Sequence, residues 1–220
     1  MTLKDAMQAR HSVRAYRDEK IPDEIRAKLD ACAEECSKEG GLRIFVRYDD
    51  PEGFDSRLAH YGSFRGVQNY IVLAGKKTKD FDLLCGYYGE KLVLLAQQLG
   101  LNTCWTAMTF NKKVVKRLLR EGEALCMAIS LGYGETQGSP HKGKSAEDVA
   151  DLTGAPDWFR EGVKAALLAP TAMNQQKFRL EYRDGRAYLN PQGFGFYLMT
   201  DLGIVKYHFE AASGHPAVTE

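Results

Sequence analysis

The chain has 220 residues, 44% of them hydrophobic, with 30 Lys+Arg against 29 Asp+Glu and a formal net charge of +1. That balance excludes a global electrostatic pull toward nucleic acid or an anionic membrane, so neither is expected as a partner. No run of about 18 apolar residues is present to span a bilayer, and the opening stretch MTLKDAMQARHSVR mixes acid and base, so no secretory leader is expected.

Thr2 is placed to cap a short helix over 2–10, with Asp5 at the reciprocal capping-box position. An arginine-rich turn, ARHSVRAYRDE, follows. Pro22 opens the next helix, where its missing N–H costs nothing. Ile25, Leu29, Cys32, Ala33 and Cys36 then recur at helical spacing, up to Gly40 and Gly41. LRIFVRY alternates as a strand does, residues 50–66 are polar loop or short helix, and QNYIVLAG reads as a buried strand. Residues 82–99 are apolar on most faces, the mark of a central buried helix, and Gly100 stops it. After LNTCWTAMTF, Asn111 caps KKVVKRLLR, ALCMAISLGYG is a second buried strand, and 135–148 is a loop.

From residue 155 the pattern restarts. APDWFREGVKAALLA is helical, KFRLEYRDGRAYLN is a hairpin turning at Asp184-Gly185, and Thr200 caps a last helix, DLGIVKYHFEAAS, that Gly214 stops. Helix, strand, strand, helix after residue 155 echoes the order after residue 21. Either the chain carries a weak internal duplication or the units coincide, as they often do in mixed chains. Helices and strands do not alternate strictly, so the class is α+β in a single domain over 1–220, with half-repeats at 1–150 and 151–220 if the duplication holds.

The five cysteines, Cys32, Cys36, Cys85, Cys104 and Cys126, are an odd number, which argues for reduced thiols and a cytoplasmic protein. Cys32 and Cys36 share a helix face with no histidine or second cysteine pair beside them, so packing is the better reading than zinc. The sequence carries no metal signature, phosphate P-loop, GxSxG elbow or dinucleotide fingerprint. His11, His60, His141, His208 and His215 share no ligand spacing. His208, on an amphipathic helix, reads as a core or surface histidine rather than a catalyst.

Three stretches could carry chemistry. RHSVR sets Arg10 and Arg14 around His11 and Ser12, and guanidinium forks with a hydroxyl suit a phosphate. HKGK places Lys142 and Lys144 in a glycine loop, again fit for an anion. Taken alone, either cluster reads better as solvated surface charge. APTAMNQQKF ends a helix at Pro170 and gathers Thr171, Asn174, Gln175 and Gln176, polar groups that either fold back on their own backbone or hydrogen-bond a ligand.

Together these stretches resemble the nitroreductase family of FMN-dependent oxidoreductases. ARHSVRAY is similar to the family's opening basic-Ser-basic motif. AQQLGLNTCWTAMTF resembles its Gly-Leu-Gly-Thr-Cys-Trp segment, AISLGYG with HKGKSAEDV its late strand and basic segment, and APTAMNQQKF its Pro-Ser-x-x-Asn-x-Gln motif. In ordinary members that last motif follows the second helix, where this chain reads CSKEGG. The chain thus resembles the branch that carries the motif in a C-terminal half-repeat.

The resemblance implies a central, mostly antiparallel sheet flanked by helices, with an internal pseudo-two-fold. It implies FMN, with phosphate on Arg10, Ser12, Lys142 and Lys144 and with His11 at the ribityl or backbone side. Arg14 would stand at the N1–O2 edge of the ring and the backbone of Thr106 and Ala107 beside N5, although Met108 replaces a glycine common there. Pro170, Thr171, Ala172, Asn174 and Gln176 would line the flavin. Ordinary members take the last group from a partner subunit, so either a homodimer or a single-chain pseudo-dimer is expected here. NAD(P)H and a nitroaromatic, quinone or related acceptor would react in ping-pong order, with no protein acid–base residue assigned. Flavin destruction, reductive dehalogenation and a module without cofactor are the alternative roles on the same fold.

Overall fold

The computed structural model describes residues 1–219. Helix α1 (Leu3–Ala9) carries the expected capping box, Thr2 accepting from Asp5 N–H and the Asp5 carboxylate accepting from Thr2 N–H. Helix α2 (Asp23–Gly40) starts after Pro22 and ends on Gly41 in the left-handed region. Strand β1 (Arg43–Arg47), a short helix α3 (Arg57–Tyr61) and strand β2 (Asn69–Gly75) follow. Then come the central helix α4 (Phe81–Gln98), strand β3 (Asn102–Thr106), the short helix α5 (Lys112–Lys116) capped by Asn111, and strand β4 (Ala124–Gly132).

These strands form one antiparallel sheet in the order β1-β2-β4-β3. Both faces are covered, which is why QNYIVLAG is apolar throughout. Ile71 and Leu73 pack with α2 and α4, while Tyr70, Val72 and Ala74 join Phe54, Phe64 and Phe110 on the opposite face.

The second part runs through the short helix α6 (Ala146–Val149), helix α7 (Asp157–Ala166), strands β5 (Phe178–Arg183) and β6 (Arg186–Pro191), helix α8 (Leu198–Ser213) and strand β7 (Ala217–Thr219). The β5–β6 hairpin turns where expected, with Asp184 and Gly185 both at positive φ, and β7 pairs parallel to β6. Its core, built on Phe159, Phe178, Leu180, Leu189 and Phe209, is separate from that of the first sheet, and the half-buried Trp105 packs against both. With the short helix α3 between β1 and β2 set aside, the order α2-β1-β2-α4 matches α7-β5-β6-α8, with the strand pair antiparallel each time.

Helices α4 and α8 join the two parts by backbone contact. A Cβ on Gly86 would run into the Thr200 carbonyl oxygen, and a Cβ on Gly203 would run into the Leu83 carbonyl oxygen. In each helix the obstructing carbonyl lies three residues before the glycine, so the crossing is reciprocal.

Three local expectations are corrected. Thr200 is not the N-cap of α8: the helix begins at Leu198 after Tyr197, and Thr200 lies buried with its hydroxyl 3.8 Å from Cys126 Sγ. Strands β3 and β7 were not anticipated, because each is defined by partners distant in sequence. The 135–148 loop ends in α6, whose Ser145–Asp148 capping box went unread. All five cysteines are free, with Cys32 Sγ and Cys36 Sγ 3.9 Å apart on α2. No helix among the described residues is long and apolar enough to cross a membrane, and no group of three His, Cys, Asp or Glu among them could hold a metal.

Candidate functional site

After α1 the chain leaves the helix in extended conformation at Arg10 and runs beside β3, with Val13 N–H donating to Thr103 O at 3.0 Å and Ser12 bridging Thr103. In this extended run Val13 turns into the core. Ser12 and Arg14 are exposed, the Arg14 guanidinium lying 5.9 Å from the Phe64 ring centroid. Arg10 points inward and is only 3% exposed.

The buried Arg10 meets a polar cluster between the two parts. Its Nε lies 3.9 Å from Glu90 Oε1 on α4. Glu90 Oε2 accepts from Trp105 Nε1 at 2.8 Å, and Oε1 lies 2.9 Å from His208 Nε2 on α8. His208 Nδ1 in turn lies 3.1 Å from Ala165 O. Glu90 and His208 are both fully buried. Sequence reading missed this cluster, since 118 residues separate the two and nothing local marks either one; His208 itself lies in the core, as one of its two readings had it.

Arg10 also lines a cleft of about 310 Å³, together with His11, His141 and Lys144 on its basic side and Leu167 and Leu168 on its apolar side. Burial holds His11 below the usual histidine range, followed by the charge of Arg10 and then His141, and burial and Arg10 lower His141 in the same way. Buried polar atoms normally have partners, yet Arg10 Nε and His11 Nδ1 have none, and Asn174 Oδ1, on the residue that clasps the 141–144 loop, has none either. A larger surface groove of about 490 Å³ between Arg43, Lys76 and Arg120 contains no such orphan. Lys142 does not line the cleft: its side chain is exposed, and His141, which was not singled out, lines it.

The 170–177 segment closes over this loop. Asn174 Nδ2 donates to Lys142 O at 2.9 Å, Lys144 N–H donates to Gln176 Oε1 at 2.6 Å, and Lys144 Nζ donates to Gln176 O at 2.8 Å. Gln176 Nε2 donates to Leu167 O, and Thr171 Oγ1 accepts from Gln176 N–H. The amides therefore do fold back on backbone, and the buried Gln176 serves as a brace between the two loops. Met173, Asn174 and Gln176 all hold positive φ, of 52°, 53° and 47°. Left-handed backbone at non-glycine residues costs roughly 1–3 kcal/mol each and persists only where the surroundings enforce it. Pro170 and Ala172 are half-buried beside them, and Met173 is exposed. Thr106 ends β3 buried, its hydroxyl 2.8 Å from that of Thr109, followed by the half-buried Ala107 and the exposed Met108.

Ala172 N–H donates to both carboxylate oxygens of Asp201, at 3.0 Å each. Burial raises Asp201 to about 7 from 3.8, against the opposing effects of that N–H and Lys177. An acid with a folded pKa above its unfolded one holds its proton more tightly when folded, so its contribution is full below about pH 4 and is lost as pH rises to about 7. The melting temperature of the wild type relative to Asp201→Asn is thus expected to fall by several degrees between pH 4.5 and 7.5. Parallel curves would contradict this environment for Asp201.

A family model described as "Putative TM nitroreductase" matches residues 2–213. Among solved structures, a putative nitroreductase from Thermotoga maritima is 22% identical with a TM-score of 0.70, over 96% of this chain and 83% of that one. A putative nitroreductase in complex with FMN from Desulfovibrio desulfuricans is 20% identical with a TM-score of 0.55, over 67% of this chain and 95% of that one. A putative NADH oxidase from Clostridium acetobutylicum is 23% identical with a TM-score of 0.52, over 66% and 97% respectively. No curated protein matches the chain.

Proposed function

Because this chain belongs to the nitroreductase family described by that model, we propose that it is an FMN-dependent oxidoreductase working between NAD(P)H and a small acceptor in the cytoplasm. The observation that carries this reading is that Arg10 and His11, each with a buried polar atom that has no partner, line one cleft with Lys144 and His141. A phosphate accepts from the guanidinium of Arg10 and the ammonium of Lys144 and offsets their charge, and a ribityl hydroxyl can partner His11, so the residues present fit the phosphate end of FMN. The relative from Desulfovibrio desulfuricans, described in complex with FMN, agrees with this choice. The sequence has two compact basic clusters, enough for one terminal phosphate, and no dinucleotide fingerprint, which favours FMN over FAD.

In this reading Arg10 and Lys144 hold the phosphate with Ser12, Lys142 supplies charge from the rim, and His11 faces the ribityl chain. Arg14 would hold the N1–O2 edge of the ring system, and the backbone at Thr106 and Ala107 would border N5. Pro170, Thr171, Ala172 and Asn174 form the second wall, with Asn174 Oδ1 free to accept and Gln176 fixing the wall to the phosphate loop. Bound there, FMN would supply the redox chemistry of a ping-pong exchange between NAD(P)H and a nitroaromatic, quinone or related acceptor. The chain positions it, excludes water on the 170–176 side and offers fixed charge.

The half-repeat, 151–220, stands where ordinary members place a partner subunit, which makes the protein a single-chain pseudo-dimer. The recurring element order and the reciprocal contact of Gly86 and Gly203 support this. Steady-state turnover with NAD(P)H and a nitroaromatic or quinone tests the activity; a flavin-loaded protein that reduces neither class would overturn it. Arg14→Met is expected to lower the flavin midpoint potential while largely sparing affinity, because a cation at the ring edge stabilises the more negative redox state. An unchanged potential with strongly weakened binding would assign Arg14 to the phosphate.

A further inference from the structure

The Arg10–Glu90–His208 cluster has a determinate charge. A carbonyl oxygen only accepts, so the 3.1 Å contact between His208 Nδ1 and Ala165 O puts a hydrogen on Nδ1. The 2.9 Å contact between His208 Nε2 and Glu90 Oε1 then needs one more proton between them. Either an imidazolium donates to a carboxylate, or a carboxyl donates to a neutral imidazole. In both cases Glu90 and His208 together carry zero charge, and Arg10 adds one positive charge. The cation that looks paired with Glu90 is therefore uncompensated, and it lies 2% exposed at the floor of the basic cleft.

We infer that His208 is a positioning residue for the anion site: by bringing a proton to Glu90 it prevents that carboxylate from neutralising Arg10, and so leaves Arg10 to a bound phosphate group. The dependence links the halves, since His208 lies on α8 and Arg10 beside α1. Trp105 Nε1 completes the device by filling Glu90 Oε2, which keeps that oxygen from turning to Arg10. The inference rests on the assignment of this cleft to the FMN phosphate.

Charge counting gives the test. His208→Gln keeps an N–H for Glu90 but brings no proton, so Glu90 becomes a bare carboxylate and the cluster falls from +1 to zero. Adding Glu90→Gln to it removes the negative charge and returns the cluster to +1. The probes are FMN and riboflavin, which lacks the phosphate, titrated into flavin-free wild type and both variants. The ratio of the two affinities isolates the phosphate contribution from general damage to the fold. A unit charge close to a phosphate is worth about ten- to a hundredfold in affinity. The expected result is a ratio lowered about that much in His208→Gln and largely restored in the double variant.

A ratio unchanged in His208→Gln, or lowered further in the double variant, overturns the role of His208. Wild type that binds neither flavin overturns the cleft assignment and this inference with it. Should His208→Gln not fold, the ring ¹⁵N spectrum of the wild type decides. Hydrogen on Nδ1 supports the inference, and a neutral ring protonated only at Nε2 overturns it.

Discussion

Gly203→Ala is expected to lower the melting temperature by roughly 6–12 °C, the counterpart of about 3 kcal/mol in a domain of this size. The new Cβ meets the Leu83 carbonyl oxygen and the Tyr87 backbone nitrogen of α4. Neither can swing aside as a side chain does, so α4 and α8 must separate along their length. Overpacking usually costs about 1–3 kcal/mol, and a backbone-to-backbone clash belongs at or above the top of that range. Gly86→Ala should do the same through Thr200. Thermal melts of both variants measure this, and a change within about 2 °C in either would mean that the helices do not touch through their backbones.

The second large effect falls on binding rather than stability. Arg10→Met is expected to weaken FMN binding by between roughly thirtyfold and several thousandfold. Truncating one partner of a buried, hydrogen-bonded charge pair costs about 2–5 kcal/mol, and each 1.4 kcal/mol is about tenfold. The same change should not lower the melting temperature of the flavin-free protein. Burial already pulls Arg10 below its ordinary range, and Glu90 and His208 satisfy one another without it. Affinity close to wild type would remove Arg10 from the phosphate site, and a collapse in flavin-free stability would show that Glu90 depends on it as a counter-ion.

Much of the fold was legible because local chemistry dictates it. The Thr2–Asp5 box, Pro22 before α2, Asn111 before α5 and the Asp184-Gly185 turn each act within a few residues, and each is seen as read. Strand β3 escaped because LNTCWTAMTF gains its pairing from β4, whose partner residues lie some distance along the chain. Thr200 has a capping side chain, but its backbone is already helical, since α8 extends back to Leu198 beside α4.

The candidate site divides in the same way. The basic motif and the Thr-x-x-Asn segment stood out as local oddities, and the structure brings Arg10, His11 and Lys144 to one cleft with Asn174 and Gln176 behind it. The lysine-glycine pattern drew attention to the side chain of Lys142, whereas its carbonyl is the group that accepts from Asn174. Glu90 was read only as part of an apolar helix. Its role depends on α4 meeting α8, a contact that no window of sequence contains.

The central proposal is that one chain builds a complete FMN site, with residues 151–220 in the place of a partner subunit. Native mass spectrometry of freshly purified protein, followed by identification of the flavin released on heating, tests it most directly. The account predicts a single chain carrying one FMN. FAD in stoichiometric amount, a chain that takes up no FMN when it is supplied, or FMN retained only by a dimer would contradict it.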